Sequence, residues 1–348
     1  MKPISILIVD DSAFIRQMLV EMLSDDPEIK VVGTACDPFD AREKIKQLNP
    51  DVLTLDVEMP KMDGITFLER IMGLRPMPVI MISTLTGQGT DVAIRALQIG
   101  AVECIGKPIE NTPEALQSFS NELCLTIKKA AATKANISRV RSSKPVKLIN
   151  KAARQLSVKA PKLIAIGAST GGVETLTEII PYLPANCPPI VITQHMPPVF
   201  TASFAKRLST LCQFPIYEAT EGMVLKNGMA CIAAGGTQLK VIRKASGLVC
   251  KVTDDAPVNN HKPSVDVTFD SVVDAVGENT LAIILTGMGK DGAEGLLRLR
   301  QAGAHTIGQN EATSIVYGMP QAAYKIGAVS EVLPLPAIAD AIIKRCFL

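Results

Sequence analysis

The stretch that decides the fold lies at the start of the chain, where residues 4–11 are Ile4-Ser5-Ile6-Leu7-Ile8-Val9-Asp10-Asp11. A short β-rich apolar run that ends in carboxylates is typical of a buried strand whose carboxyl end carries a functional loop. A helical pattern follows directly, over Ser12–Leu23. The opening therefore predicts a strand followed by a helix, which is the repeating unit of a parallel sheet.

The same unit recurs through the first 120 residues. Further strands are predicted at Ile29–Thr34, Val52–Leu55, Val79–Ser83 and Val102–Ile105, and helices near Phe39–Leu48, Ile65–Met72, Thr90–Ile99 and from about Pro113. Five strands that alternate with helices predict a doubly wound α/β domain of the flavodoxin-like (βα)5 type. We place this domain at residues 1–122.

Charge is unevenly distributed over the 348 residues. Residues 123–162 contain eleven Lys or Arg and no Asp or Glu, whereas the remainder contains 25 basic and 34 acidic residues. This balance argues against a protein that binds nucleic acid over its whole surface. We interpret residues 123–160 as a basic linker, which is either a solvated tether or a docking surface for an acidic partner.

Composition also bears on the compartment. No apolar stretch reaches the roughly 20 residues that cross a membrane, and Ile4–Val9 is too short for the core of a signal peptide. The eight cysteines form no CxxC pair, so free thiols are expected. We therefore expect a cytoplasmic protein without membrane insertion.

Strand and helix patterns resume after the linker. Apolar runs at Leu163–Ile166, Ile190–Thr193, Leu281–Leu285 and Thr306–Gly308 predict a second, mostly parallel doubly wound α/β domain at residues 161–348. Between Met223 and Thr253 short strands alternate with turns. That pattern predicts an antiparallel insertion beside the parallel sheet.

Polar residues stand at the strand ends of the first domain. Asp10 and Asp11 end the first strand and Asp56 the third, and these strands are neighbours in the order 2-1-3-4-5 expected for this fold. Three converging carboxylates favour a hard cation such as Mg²⁺. Ser83 ends the fourth strand and Lys107 follows the fifth, so Lys107 would face a phosphoryl group accepted by Asp56.

These positions, with Leu55-Asp56-Val57-Glu58-Met59-Pro60, Met62-Asp63-Gly64 and Lys107-Pro108, resemble the receiver domain of two-component response regulators. The resemblance implies that Asp56 accepts a phosphoryl group. The residues implied to hold Mg²⁺ are Asp10, Asp11, Asp56 and, through its backbone carbonyl, Glu58. Those implied to contact the phosphoryl group are Ser83 and Lys107. Receivers often have an aromatic switch residue where this chain has Cys104.

The second domain carries a serine between glycines after its first strand, in Gly167-Ala168-Ser169-Thr170-Gly171-Gly172. The pattern matches the GxSxG nucleophile elbow, in which glycines permit a sharp turn and backbone N–H groups face a developing oxyanion. Taken alone, the loop suits a phosphate-binding turn equally well.

Two further strand ends favour the hydrolase interpretation. His195 and Asp291 each follow an apolar strand pattern, so both are expected on the sheet edge that carries Ser169. A hydroxyl, an imidazole and a carboxylate at one edge are the groups that acyl transfer requires. The other histidines are His261, before a predicted helix, and His305, at the start of a predicted strand.

Over nearly its whole length the chain resembles the chemotaxis response regulator protein-glutamate methylesterases, the CheB family. The stretches that carry the resemblance are Ile166-Gly167-Ala168-Ser169-Thr170-Gly171-Gly172, Thr193-Gln194-His195-Met196-Pro197, His261-Lys262-Pro263-Ser264-Val265-Asp266, Leu285-Thr286-Gly287-Met288-Gly289-Lys290-Asp291-Gly292, Gln309-Asn310-Glu311 and Tyr317-Gly318-Met319-Pro320. The resemblance implies a triad of Ser169, His195 and Asp291, with an oxyanion hole formed by the backbone N–H groups of Thr170 and Met288.

The same resemblance implies the reaction and its control. By the resemblance, the expected substrates are glutamate methyl esters, and certain glutamines, on chemoreceptors. It also implies that a chemotaxis histidine kinase would supply the phosphoryl group and that the receiver would cover the catalytic cleft until Asp56 is phosphorylated. Two competing interpretations are a DNA-binding response regulator with a compact helix-turn-helix output and a catalytically inactive adaptor that docks receptors.

Overall fold

The structure, a computed structural model, describes residues 2–60, 62–83, 87–108, 112–134, 137 and 161–347. The chain divides into two compact units, Met1–Ser142 and Ser143–Leu348. No helix in the described ranges is long and apolar enough to cross a membrane.

The first unit is a five-stranded parallel sheet with the strand order β2-β1-β3-β4-β5. Its strands are β1 (Ile4–Val9), β2 (Ile29–Ala35), β3 (Val52–Asp56), β4 (Val79–Ser83) and β5 (Glu103–Gly106). Its helices are α1 (Ala13–Ser24), α2 (Pro38–Leu48), α3 (Gly64–Leu74), α4 (Gly87–Ile99) and α5 (Pro113–Ala132). The predicted flavodoxin-like order is confirmed.

Local sequence explains where these helices begin. The side chains of Ser12, Asp37, Asp63 and Thr112 each accept a hydrogen bond from a backbone N–H group in the first turn of the helix that follows. Such N-caps satisfy donors that have no partner within the helix. These four caps therefore help to fix the residues at which α1, α2, α3 and α5 begin.

Helix α5 continues beyond the residue at which the linker was predicted to begin. Leu123, Ile127 and Ala130 on this helix are buried. Past its end, Lys134 Nζ lies 2.7 Å from Asp51 Oδ1. The first part of the predicted linker thus packs on the receiver unit, whereas residues 138–160, and with them the choice between tether and docking surface, lie outside the described residues.

The second unit is a seven-stranded parallel sheet with the order β14-β13-β12-β6-β7-β9-β8. Its strands are β6 (Leu163–Ala168), β7 (Ile190–Gln194), β8 (Ile216–Glu218), β9 (Ala230–Ile232), β12 (Thr280–Ile284), β13 (His305–Gln309) and β14 (Glu331–Leu333). The α-helices are α6 (Gly172–Ile179), α7 (Pro198–Ser209), α8 (Val265–Ala275), α9 (Ala293–Gln301), α10 (Met319–Lys325) and α11 (Leu335–Cys346).

The predicted antiparallel insertion is a single hairpin, in which β10 (Gln238–Lys244) pairs with β11 (Gly247–Thr253). The prediction was too broad in one respect, because Ala230–Ile232 within the same segment joins the parallel sheet next to β7. Three apolar residues that extend a sheet edge look the same in sequence as one arm of a hairpin.

Strand β6 lies at the centre of this sheet, with β7 on one side and β12 on the other. The chain leaves β6 for β7 and later returns to the opposite side through β12. A change of winding direction of this kind opens a crevice at the carboxyl ends of the central strands. The residues that follow β6, β7 and β12 therefore face one another.

Candidate active site and candidate phosphoryl-accepting site

Ser169 follows β6 and is held in a sharp turn. Its N–H donates to the Thr286 carbonyl at 3.0 Å, and its own carbonyl accepts from the Gly172 N–H at 2.7 Å. Gly171 has φ +79°, a conformation that side chains disfavour, and a Cβ on Gly172 would lie 2.0 Å from Gln194 Oε1. The glycines therefore allow the serine to sit between a central strand and a helix start.

His195 follows β7 and bridges the other two predicted triad residues. Its Nδ1 lies 3.1 Å from Ser169 Oγ, and its Nε2 lies 2.8 Å from Asp291 Oδ2. Because the carboxylate accepts a hydrogen bond from Nε2–H, Nδ1 carries the lone pair that faces the serine hydroxyl. The structure thus brings Ser169, His195 and Asp291 into one hydrogen-bonded row.

Asp291 is almost fully buried at 1% exposure. Besides His195, it accepts hydrogen bonds from the Val265 N–H at 2.6 Å, from Ser264 Oγ at 2.7 Å and from Asn259 Nδ2 at 2.8 Å. Burial alone would raise the pKa of Asp291, but the hydrogen bonds from His195, Asn259 and Ser264 lower it overall. The carboxylate is therefore held ionised beside the imidazole.

The two predicted oxyanion donors lie in the loops that follow β6 and β12. Within the described ranges, the backbone N–H groups of Thr170 and Met288 donate to no protein acceptor. The Thr286 side chain donates to the Thr170 carbonyl at 3.0 Å, and Gly287 pairs with Tyr317. These contacts fix both loops and leave the two donors available to a ligand.

Some residues near the triad were not predicted, above all Asn259 and Ser264, which hydrogen-bond to Asp291. His261 stacks on His195, with ring centroids 3.6 Å apart. His305 instead contacts Glu331, with Nε2 3.1 Å from Oε2. The polar residues before α8 were the available signal, but the sequence does not say which way that loop turns.

In the first unit, the carboxylates of Asp10, Asp11 and Asp56 each offer an oxygen within 4.8 Å of the others. Asp10 and Asp56 are buried at the ends of β1 and β3, whereas Asp11 is exposed. Three clustered carboxylate oxygens, one of them open to solvent, fit a magnesium ion that keeps several water ligands. Glu58 is exposed two residues after Asp56.

Lys107 completes this cluster. Its Nζ lies 2.9 Å from Asp10 Oδ2 and 2.9 Å from Asp56 Oδ1, and its backbone N–H donates to the carbonyl of the buried Ser83 at 2.9 Å. Burial raises the pKa of Asp56 to about 6, although Lys107 acts in the opposite direction. A buried carboxylate next to a lysine and to oxygen ligands can accept a phosphoryl group.

At the position of the expected aromatic switch, Cys104 is buried and its thiol donates to the Ala93 carbonyl at 3.4 Å. The side chain is therefore held against α4. A thiol packed in this way cannot act as an aromatic ring that swings between a buried and an exposed position.

A receiver-type carboxylate cluster on one unit and a hydrolase-type arrangement on the other define the class of the protein, a response regulator with an enzymatic output. Residues 6–118 match the model of the response regulator receiver domain, and residues 164–342 match that of the CheB methylesterase.

Curated relatives and a solved structure agree with these matches. The chain is 51% identical to a protein-glutamate methylesterase/protein-glutamine glutaminase of Rhizobium johnstonii, over 98% of this chain and 96% of the relative. It is 49% identical to one from Saccharophagus degradans, over 99% of each. The crystal structure of the Thermotoga maritima CheB methylesterase catalytic domain matches with a TM-score of 0.52 and 37% identity, over 53% of this chain and 98% of that one. The chain belongs to the CheB methylesterase family.

Proposed function

We propose that this chain hydrolyses the methyl esters of glutamate side chains, and deamidates certain glutamine side chains, on bacterial chemoreceptors during sensory adaptation. The names of its relatives support this reaction. The observation that carries the proposal is the row from Ser169 Oγ through His195 to Asp291, with separations of 3.1 and 2.8 Å. We place the protein in the cytoplasm, where a chemotaxis histidine kinase would be the phosphodonor.

In this mechanism Ser169 Oγ attacks the side-chain carbonyl carbon of the substrate while its proton passes to His195 Nδ1. The C–O bond to the methoxide breaks, and His195 returns the proton so that methanol leaves; ammonia leaves in the same way from glutamine. Water then gives up a proton to the same imidazole and attacks the acyl carbon. The bond from that carbon to Ser169 Oγ breaks, and His195 returns the proton to Oγ, which leaves glutamate and free Ser169. The N–H groups of Thr170 and Met288 would donate to the oxyanion in both halves.

We assign the control of the esterase activity to the receiver unit. Asp56 would accept the phosphoryl group, and Asp10, Asp11 and the Glu58 carbonyl would hold Mg²⁺. The ion, when bound, would neutralise negative charge on the phosphoryl oxygens. Ser83 and Lys107 would contact the phosphoryl group.

Those contacts would favour a receiver state that no longer covers the catalytic cleft. To change the population from mostly covered to mostly uncovered clefts, phosphorylation must stabilise the uncovered state relative to the covered state by about 3–5 kcal/mol. The interactions of a doubly charged phosphoryl group with Mg²⁺ and with Lys107 would be strong enough to supply this free-energy difference.

The first test is methanol release from methylated receptor membranes by the full chain. Ser169→Ala is expected to lower turnover by roughly 10³-fold or more, because the attacking oxygen is removed. Circular dichroism of the variant is expected to match the parent. Near-normal methanol release by Ser169→Ala would remove the serine from the mechanism.

The second test concerns Asp56→Asn in the same assay, with and without a small-molecule phosphodonor. Because the amide cannot accept a phosphoryl group, stimulation is expected to disappear while basal hydrolysis remains. Stimulation that persists in this variant would show that Asp56 is not the acceptor.

A DNA-binding output is disfavoured by the seven-stranded parallel sheet of the second unit, which leaves little role for a compact helix-turn-helix domain. An inactive adaptor is the remaining alternative. Covalent labelling by a serine-directed phosphonate separates the two, since only the hydrolase places an activated serine beside a base.

A further inference from the structure

A tight turn lies beside the proposed triad, between Val258 and His261. These residues exchange two backbone hydrogen bonds, of 3.0 and 2.9 Å. The two central residues, Asn259 and Asn260, both have positive φ, of 52° and 63°. Asparagine tolerates this left-handed conformation better than most residues, so the sequence here suits a two-residue turn with positive φ at both positions.

The turn is anchored on both sides. The Asn259 amide donates to Asp266 at 2.7 Å and to Asp291 at 2.8 Å, so it lies between two buried carboxylates. The His261 carbonyl accepts from Gln238 Nε2 at 3.2 Å, which joins the turn to the first residue of β10. A turn held in this way is a rigid support for the side chain that it presents.

That side chain is His261, whose ring lies parallel to the ring of His195. The centroids are 3.6 Å apart and the planes differ by 12°. The ring of His195 turns about its Cβ–Cγ bond, and its hydrogen bonds to Ser169 and Asp291 restrain that rotation only at the two nitrogens. A flat ring in van der Waals contact opposes that rotation.

We propose that His261 is a positioning residue, whose ring holds the plane of the His195 imidazole so that Nδ1 stays aligned with Ser169 Oγ. The proposal rests on the catalytic role proposed above for His195. Alignment matters because small displacements of a reacting group reduce the rate strongly, by up to about 10²-fold for a displacement of about 1 Å.

The test compares His261→Ala with His261→Phe in the full chain, by methanol release from methylated receptors. We expect His261→Ala to lower kcat by about 10- to 100-fold with KM changed less than about twofold. The rate of phosphonate labelling of Ser169 should fall in parallel. His261→Phe keeps a flat ring without nitrogens, and we expect kcat within about threefold of the parent.

His305→Ala is the matched control, because it removes a histidine of the same unit that contacts Glu331 instead of the triad. It should leave kcat unchanged. Thermal melting of every variant separates loss of alignment from loss of fold. If His261→Ala unfolds at a lower temperature than the parent, the kcat of His261→Phe tests the inference instead.

Three results would overturn the inference: a parental kcat in folded His261→Ala, an effect confined to KM, or a folded His261→Phe no more active than the alanine variant. The last would mean that an imidazole nitrogen, not the ring face, is required. Ser169→Ala is assayed alongside. If it is active, the triad itself is wrong; if it is inactive while His261→Ala is parental, only the present inference fails.

Discussion

At the scale of single residues, the buried carboxylate of Asp291 accepts five hydrogen bonds, from the side chains of His195, Asn259 and Ser264 and from the backbone N–H groups of Val265 and Asp266. Each donor prefers an ionised acceptor, which explains why the pKa of Asp291 is lowered in spite of burial. The same contacts make the position intolerant of an amide, because an amide replaces one acceptor oxygen by a donor.

We therefore predict that Asp291→Asn lowers kcat by about 10³-fold or more, since the imidazole loses the partner that sets its tautomer. Unsatisfied donors should also reduce the free energy of unfolding by about 1–3 kcal/mol. Methanol release and chemical denaturation measure the two effects. Asp270→Asn, at a half-exposed pair with Arg298, should change neither, and equal activity of the two variants would contradict the assignment.

The triad candidates and the carboxylate cluster could be predicted from sequence because all of them follow strands, and the ends of parallel strands share an edge. Asn259 and His261 could not be placed in the same way. Their positions depend on two consecutive left-handed residues and on contacts with β10 and α8, none of which follows from hydrophobic periodicity.

At the scale of elements, the connection from β6 to α6 is tightly packed. A Cβ on Gly172 would meet Gln194 Oε1 at 2.0 Å. The amide nitrogen of the same Gln194 donates to the carbonyls of Ser169 and His195, both at 3.0 Å. A side chain at position 172 would therefore displace Gln194, and this displacement would disturb its hydrogen bonds to the backbone of Ser169 and His195.

Gly172→Ala is expected to lower stability by about 1–3 kcal/mol and to reduce turnover, because Gln194 must move. Gly73→Ala is the matched control. A Cβ there meets nothing within 4 Å, and the residue lies in helix α3, so a small gain in stability is expected. Unfolding midpoints and methanol release measure the outcome, and a fully active, equally stable Gly172→Ala would contradict it.

A second element-level feature is the junction of β1, β3 and the end of α5 at Asp51. Burial alone would raise the pKa of Asp51, but hydrogen bonds from Lys134 and Ser5 lower it to about 2. A lowered pKa stabilises the fold above the unfolded value of about 4, and this contribution is lost as the pH falls towards 2.

Asp51→Asn should therefore be less stable than the parent at pH 7, with the difference shrinking as the pH falls from 4 to 2. Denaturant titrations of the full chain at several pH values measure it. Glu43→Gln, which removes an exposed pair with Lys46, should have little effect at any pH. A stability difference for Asp51→Asn that does not depend on pH would contradict the electrostatic explanation.

Strands with long apolar runs were predicted well, within one or two residues, whereas β8, β9 and β14 were not predicted as members of the parallel sheet. Each is three residues long. Three residues contain too little of a period-2 or continuous apolar pattern to be distinguished from a loop. Their pairing is decided by the neighbouring strand, which the local sequence does not contain.

At the scale of the whole molecule, the proposed control predicts a specific comparison. A fragment from about residue 155 onward contains all of the second sheet and the three triad candidates, and it should release methanol faster than the unphosphorylated full chain. The reason is that the fragment lacks the receiver that would cover the cleft. Phosphodonor should raise only the full chain towards the rate of the fragment, and equal rates without phosphodonor would remove the cover hypothesis.

The central position of β6 also determines how much of the chain must be synthesised before the second unit can fold. Leu163 of this strand pairs with Thr280 of β12, far along the chain, and Asp291 follows later still. Until a ribosome has released that region, β6 has one edge unpaired and His195 lacks its hydrogen bond to Asp291. Pairing across such a separation is slow to form, so a nascent chain should complete the unit proposed to accept the phosphoryl group well before it acquires any esterase activity.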